Sequence, residues 1–220
     1  MHLKLLVFLL LTPCSFAEEQ TTAKTLSDLV FDSPRVEFFR HPSDKEIVAA
    51  YSESQPEWWG DMSVFHHGEG KIDWEFKFPA MYEEWHGHYV VSCQWVTLTQ
   101  IKSPVLELIE STHRGNGSIF LFELQGRELR LLLHTKVRGQ LFDDLETFGV
   151  PPNGTAHIKG EQLKVTYAKM DRQEPEAVIL SGTLEIADLA ERKLPDKKYE
   201  QKCLWDAEKR MFVPSAPTSP

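Results

Sequence analysis

The sequence has little cysteine, no long apolar run beyond its first dozen residues, and no block of basic charge. Three cysteines in 220 residues rule out a disulfide-dense scaffold. A bilayer-crossing helix needs about 20 apolar residues, whereas the run Leu5–Leu11 stops at Thr12-Pro13 and no later run approaches that length. No transmembrane span is therefore expected. A net charge of −9 without a Lys/Arg cluster makes nucleic acid a poor partner, because phosphate neutralisation supplies most of that affinity. The sequence also lacks G-x-S-x-G and a glycine-rich phosphate loop, so it shows no signature of nucleophilic or nucleotide chemistry, and no cofactor is implied.

What is there begins with an export signal. Lys4 supplies a positive start, Leu5–Leu11 an apolar centre, and Ser15-Phe16-Ala17 small residues before Glu18. Residues 1–17 thus read as a signal peptide, and the product as periplasmic or secreted. Leu11-Thr12-Pro13-Cys14 is near a bacterial lipoprotein box, although proline before the cysteine fits it poorly; lipidation at Cys14 would tether the chain to a membrane face. Cleavage removes one positive charge, giving −10, and leaves about 203 residues, enough for one substantial domain. It also leaves Cys93 and Cys203, for which an oxidising compartment favours one disulfide closing a loop of about 100 residues.

The period of the remaining chain is mostly two. Ile72, Trp74, Phe76 and Phe78 alternate with Lys71, Asp73, Glu75 and Lys77, the pattern of a half-buried antiparallel strand. Tyr89–Thr99 carries apolar groups on both faces and reads as a central strand covered on both sides. Short β segments follow. Ile119–Leu124 and Glu128–Leu133 flank Gln125-Gly126-Arg127 as a hairpin, and Ala156–Lys159 with Leu163–Tyr167 suggest another. Val178–Ile186 is one strand bent at Gly182, and Lys198–Asp206 pairs with Met211–Val213.

Two short helices are expected. One follows the capping box Ser43-Asp-Lys-Glu46, and one spans Leu141, Leu145 and Phe148. The fold class is mainly β, an antiparallel sandwich or up-and-down barrel with one or two short helices. Residues 18–42 read as an N-terminal extension, 43–213 as a single β-rich domain, and 214–220 as a disordered proline-rich tail.

His86-Gly87-His88 is the sharpest local motif, since residues two apart on a strand share a face and two imidazoles can hold one metal ion. His66-His67 and Glu83 or Glu84 would complete such a shell. No carboxylate follows the pair, and surface histidines at a loop end are the preferred reading. Trp58, Trp59, Tyr82 and Trp85 could offer flat plates to a sugar or a protein partner, whereas Trp74, Trp95 and Trp205 alternate as core residues do. Asp73 and Glu75 sit two apart, as in some polysaccharide hydrolases with Glu-x-Asp-x-x-Glu strands. Here Lys71 and Phe76 occupy the positions of the other two carboxylates, so the glycosidase pair is absent. The chain's two asparagines, Asn116 and Asn153, lie in Asn-Gly-Ser/Thr and read as turn residues before glycan acceptors.

The preferred reading is an exported, non-catalytic β protein that binds a macromolecule, either an envelope protein or a polysaccharide. Trp58, Trp59, Tyr82, Glu83, Trp85, His86 and His88 are its candidate binding residues. One alternative is a metal-dependent or carboxylate-using enzyme centred on His86 and His88, with His66 and His67 as further ligands. Another is a structural envelope component without a small ligand.

Overall fold

The computed structural model of the chain describes residues 36–54, 59–68, 71–77, 88–98, 101, 103–112, 115–141, 145–168 and 177–218. Among them the fold is antiparallel β throughout, with no α-helix. Strands β1 (Val36–Arg40), β2 (Ile47–Ser54), β3 (Trp59–Gly68) and β4 (Lys71–Lys77) form a first sheet in that order. A second four-stranded meander follows, with β5 (His88–Val96), β6 (Val105–Thr112), β7 (Gly117–Gln125) and β8 (Glu128–Arg138). The third sheet holds β9 (Gln140–Leu141), β10 (Thr155–Ile158), β11 (Lys164–Ala168), β12 (Ala177–Ala187), β13 (Lys193–Asp206) and β14 (Met211–Pro214).

The second sheet lies between the other two. On β6, Leu106 and Leu108 join Ala49, Met62 and Val64 of the first sheet in one core cluster. Val105 and Ile109 join Leu180, Tyr199 and Phe212 of the third sheet in another. Alternate residues of one strand thus feed two cores, and β6 is buried along nearly its whole length. The sequence expectation placed the doubly covered strand at Tyr89–Thr99. That strand, β5, does send Cys93 and Trp95 toward one core and Val96 toward the other, but it is the edge of its sheet and not central, and Val91 is 38% exposed at a bulge where β5 runs past β6. The third sheet curls onto the second through Ile158 N–H to Gly139 O and Leu163 N–H to Val137 O.

Much of the β reading holds. The Gln125-Gly126-Arg127 hairpin forms with Gly126 at φ 64°, β12 is one strand through Gly182, and β13 pairs with β14 from Asp206 to Met211. The second hairpin does not form. β10 and β11 each pair with β12, one after the other along the same edge, and not with one another. Leu163, fully buried between them, passes over Gly182, where a Cβ would stand 2.7 Å from its Cδ2. Ile72 also leaves its expected face. A bulge makes Asp73 an extra residue on β4, so Trp74 and Phe76 face the second sheet while Ile72 packs with Phe65 on the outer side.

The expected helix after Ser43 is β2. Val48, Ala49 and Ala50 are consecutive and all fully buried, because both faces of β2 are covered; a single helical turn would leave some of them in water. Nor is Ser43 a helix cap. The His41 ring organises the turn, its Nδ1 accepting from the backbone N–H of Ser43 (3.3 Å) and Asp44 (3.1 Å). The second expected helix shrinks to a 3₁₀ turn, Leu145–Phe148.

The domain limits also move. β1 pairs with β2 along its full length, so residues from Val36 belong to the domain. Ser215 N–H donates to Lys202 O, and Thr218 exchanges two backbone bonds with Glu200, so the start of the expected disordered tail extends the β13 edge.

The two acceptor contacts of His41 require an unprotonated Nδ1, and burial holds this imidazole below its ordinary value against the pull of Asp44. A folded-state value below the unfolded one, about 6.5, means the contribution is intact above that pH and lost as pH falls from there through the lower folded-state value. The unfolding free energy from urea melts should therefore fall between pH 7.5 and 5, by about 1 kcal/mol from these two bonds. His41→Asn keeps an acceptor that does not titrate and should flatten that part of the slope. An unchanged slope in the variant would remove His41 from the account.

Candidate functional site

Most residues singled out from sequence fall outside the described residues: Trp58, Tyr82, Glu83, Glu84, Trp85 and His86 all do. Trp59 opens β3 opposite Ser54, and His88 opens β5 opposite Thr112. The histidine pair in β3 is fully placed. Adjacent strand residues point to opposite faces, so His66 and His67 cannot share one ion. His66 faces inward beside Ile47 and Trp74, while His67 lies with Phe65 on the outer side, ring centroids 6.3 Å apart. His66 and His88 also belong to different ends of the strands. Trp95 packs on His41 (4.7 Å) and donates to Phe39 O, at the His66 end of the first sheet. His88 lies seven residues back along β5, roughly 23 Å in an extended strand. The expected shell of His86, His88, His66, His67 and Glu83 or Glu84 rests mainly on residues outside those described; within the described part, His66 and His67 face opposite sides of β3.

The structure assembles a different group around His66. Its Nδ1 is 3.0 Å from Asp73 Oδ2, and its Nε2 is 3.3 Å from Glu46 Oε2. One ligand atom each from Asp44, Glu46 and His66 lies within 4.8 Å of the others. Three local features build this. The β4 bulge turns Asp73 across to β3. Gly68 leaves room for that carboxylate, since a Cβ there would stand 3.1 Å from Asp73 Oδ2. The turn before β2 is held by Glu46 N–H to Asp44 Oδ1 (3.1 Å) and by His67 N–H to Glu46 O (2.9 Å), which fixes both acids beside the end of β3. The His66 ring stacks on Trp74, centroids 6.2 Å apart and 22° between planes. Its side chain is 24% exposed, so the group is half-open to water.

Reading Ser43–Glu46 as a helix cap concealed Asp44 and Glu46. Only the β2–β3 register, Ile47 against His66, brings that turn to the histidine.

A second polar group is buried between the second and third sheets. Glu107 accepts from Gln94 Nε2 at 2.6 Å and from the Tyr167 hydroxyl. Burial and the neighbouring carboxylate raise the Tyr167 phenol, keeping it a donor. Both oxygens of a carboxylate that is 3% exposed are therefore engaged, as burial of a charge demands.

The expected Cys93–Cys203 bridge is corrected. Both are free buried thiols, Cys93 in the cluster toward the first sheet and Cys203 in the cluster toward the third, with the second sheet between them. Burial raises the Cys93 thiol, with further pushes from Glu107 and Glu37, and lifts Cys203 to about 12. Burial thus disfavours the nucleophilic thiolate at both.

No protein-family model matches the chain, and no curated protein matches it. A solved structure described as that of the Dos1 propeller aligns over 84% of this chain at 10% identity and a TM-score of 0.32. The chain spans about half of that structure, 47% of its length, and a likeness this weak carries no argument. The described residues define a class only, an antiparallel β protein whose described strands form three sheets.

A thiol reagent should find neither Cys93 nor Cys203 reactive in the folded protein, and both reactive in denaturant without reductant. No thiol in denaturant would restore the bridge.

Proposed function

We propose that this chain is an exported β protein that binds a macromolecule, an envelope protein or a polysaccharide, and carries out no chemistry of its own. Export rests on Lys4, the apolar run Leu5–Leu11 and the small residues before Glu18, with lipid attachment at Cys14 as a variant of the same route. The observation that supports binding most is the outer face of the third sheet. Its inner residues, among them Leu180, Leu184, Tyr199 and Cys203, fill a core cluster. The opposite face carries Lys164, Thr166, Lys198, Lys202 and Leu204, all exposed, around the half-buried Ser181 and Thr183. Register sets Lys164, Ser181 and Glu200 in one row across three strands and Thr166, Ile179 and Lys202 in the next. A broad sheet face with alternating charge, hydroxyl and apolar groups suits an extended partner better than a small molecule, which prefers a concave pocket.

The absence of chemistry is supported by where the reactive groups are spent. Glu107 is engaged by Tyr167 and Gln94, Asp188 by Arg192, and both cysteines are buried as thiols.

Co-sedimentation of the chain beginning at Glu18 with insoluble cell-wall polysaccharide, and in parallel with purified envelope protein, tests the reading. One of the two should retain the chain, and Thr166→Arg with Lys198→Glu should reduce retention at least tenfold while far-UV circular dichroism stays unchanged. Retention that ignores the open face, or turnover of a glycoside substrate, would overturn it.

A further inference from the structure

We infer that Asp44, Glu46 and His66 form a site for one divalent first-row transition ion of the zinc type, with Asp73 orienting the histidine. This stands on geometry separate from the open face of the third sheet.

The first argument concerns the two nitrogens of His66. Asp73 Oδ2, which can only accept, stands 3.0 Å from Nδ1, the geometry of a hydrogen bond in the tautomer that carries its hydrogen on Nδ1. A neutral ring then presents the Nε2 lone pair to Glu46 Oε2 at 3.3 Å. Two lone pairs at that distance repel unless a positive charge sits between them, either a proton or a metal ion. The carboxylate–imidazole–metal arrangement is how proteins fix the tautomer of a ligating histidine and raise its basicity.

The second argument is distance. Two ligands each about 2.0 to 2.1 Å from a tetrahedral zinc ion stand about 3.3 Å apart, the separation of Nε2 and Oε2. All three donor atoms lie within 4.8 Å of one another, and Asp44, which accepts from Glu46 N–H through Oδ1, is exposed. The third argument is construction. The bulge at Asp73 and the missing side chain at Gly68 both serve to bring the orienting carboxylate to Nδ1. One imidazole with two carboxylates matches zinc or a similar borderline ion better than calcium or magnesium, which favour all-oxygen shells. Water completes the coordination on the open side.

Calorimetric titration of ZnCl₂ into the chelator-treated chain beginning at Glu18, at pH 7.5, tests this. One ion per chain should bind. Asp44→Asn preserves the turn acceptor and removes the charge, and it should weaken binding at least tenfold, as should His66→Gln. Asp73→Asn should cost about 10- to 100-fold. Cu²⁺ should quench the fluorescence of Trp74, which stacks on the ligand ring, and Trp74→Phe should remove that part of the quenching. Replacing His86 and His88 together by alanine should leave the titration unchanged. No binding at all would leave a proton as the bridge between His66 and Glu46 and overturn the site, as would binding that survives both Asp44→Asn and His66→Gln.

Discussion

Everything in this molecule leans on a strand that has no solvent face. β6 sends Leu106 and Leu108 into one core and Val105 and Ile109 into the other, and its backbone is bonded on both edges by β5 and β7. Its residues therefore contribute hydrophobic burial twice over a single stretch of chain, and neither outer sheet has a complete core without it. The one charged residue on its third-sheet side, Glu107, is tolerated because Gln94 comes from the paired strand and Tyr167 from the opposing sheet. That group ties the second and third sheets in a fixed register, since losing either donor would leave a buried charge underserved.

Sheets sharing a wall explain why some elements were legible in the sequence and others were not. Half-buried strands such as β4 alternate plainly, and tight turns such as Gly126-Arg127 announce themselves through glycine. β2 is not legible because Ile47-Val48-Ala49-Ala50 is covered on both faces, and a short apolar run of that kind has no period to separate strand from helix. Its preceding Ser-x-x-Glu then tipped the balance toward a cap that the His41 ring supplants. The bulge at Asp73 could not be seen at all, since it changes which side chains share a face without changing the alternating exposure along β4.

The candidate site shows the same limit. His66 stood out as a possible ligand, but its expected partners, His67 and His88, lie on another face and toward the other end of β5. The partners it has, Asp44, Glu46 and Asp73, come from a turn and a bulge. Both are products of strand register, and register is a tertiary property. The two cysteines were joined on compartment and number alone. Their positions on opposite sides of the second sheet follow from which face of β5 and of β13 each occupies.

Native-state hydrogen exchange tests the shared-wall claim most directly. The amides of Ala49 in β2 and Leu180 in β12 should report the same global unfolding free energy in low urea, although they belong to different sheets. Leu108→Ala, which opens a cavity only on the first-sheet side of β6, should lower both by the same amount, about 2 to 5 kcal/mol. If the substitution lowers protection at Ala49 and leaves Leu180 unchanged, the two cores fold independently and β6 is not the element on which the structure depends.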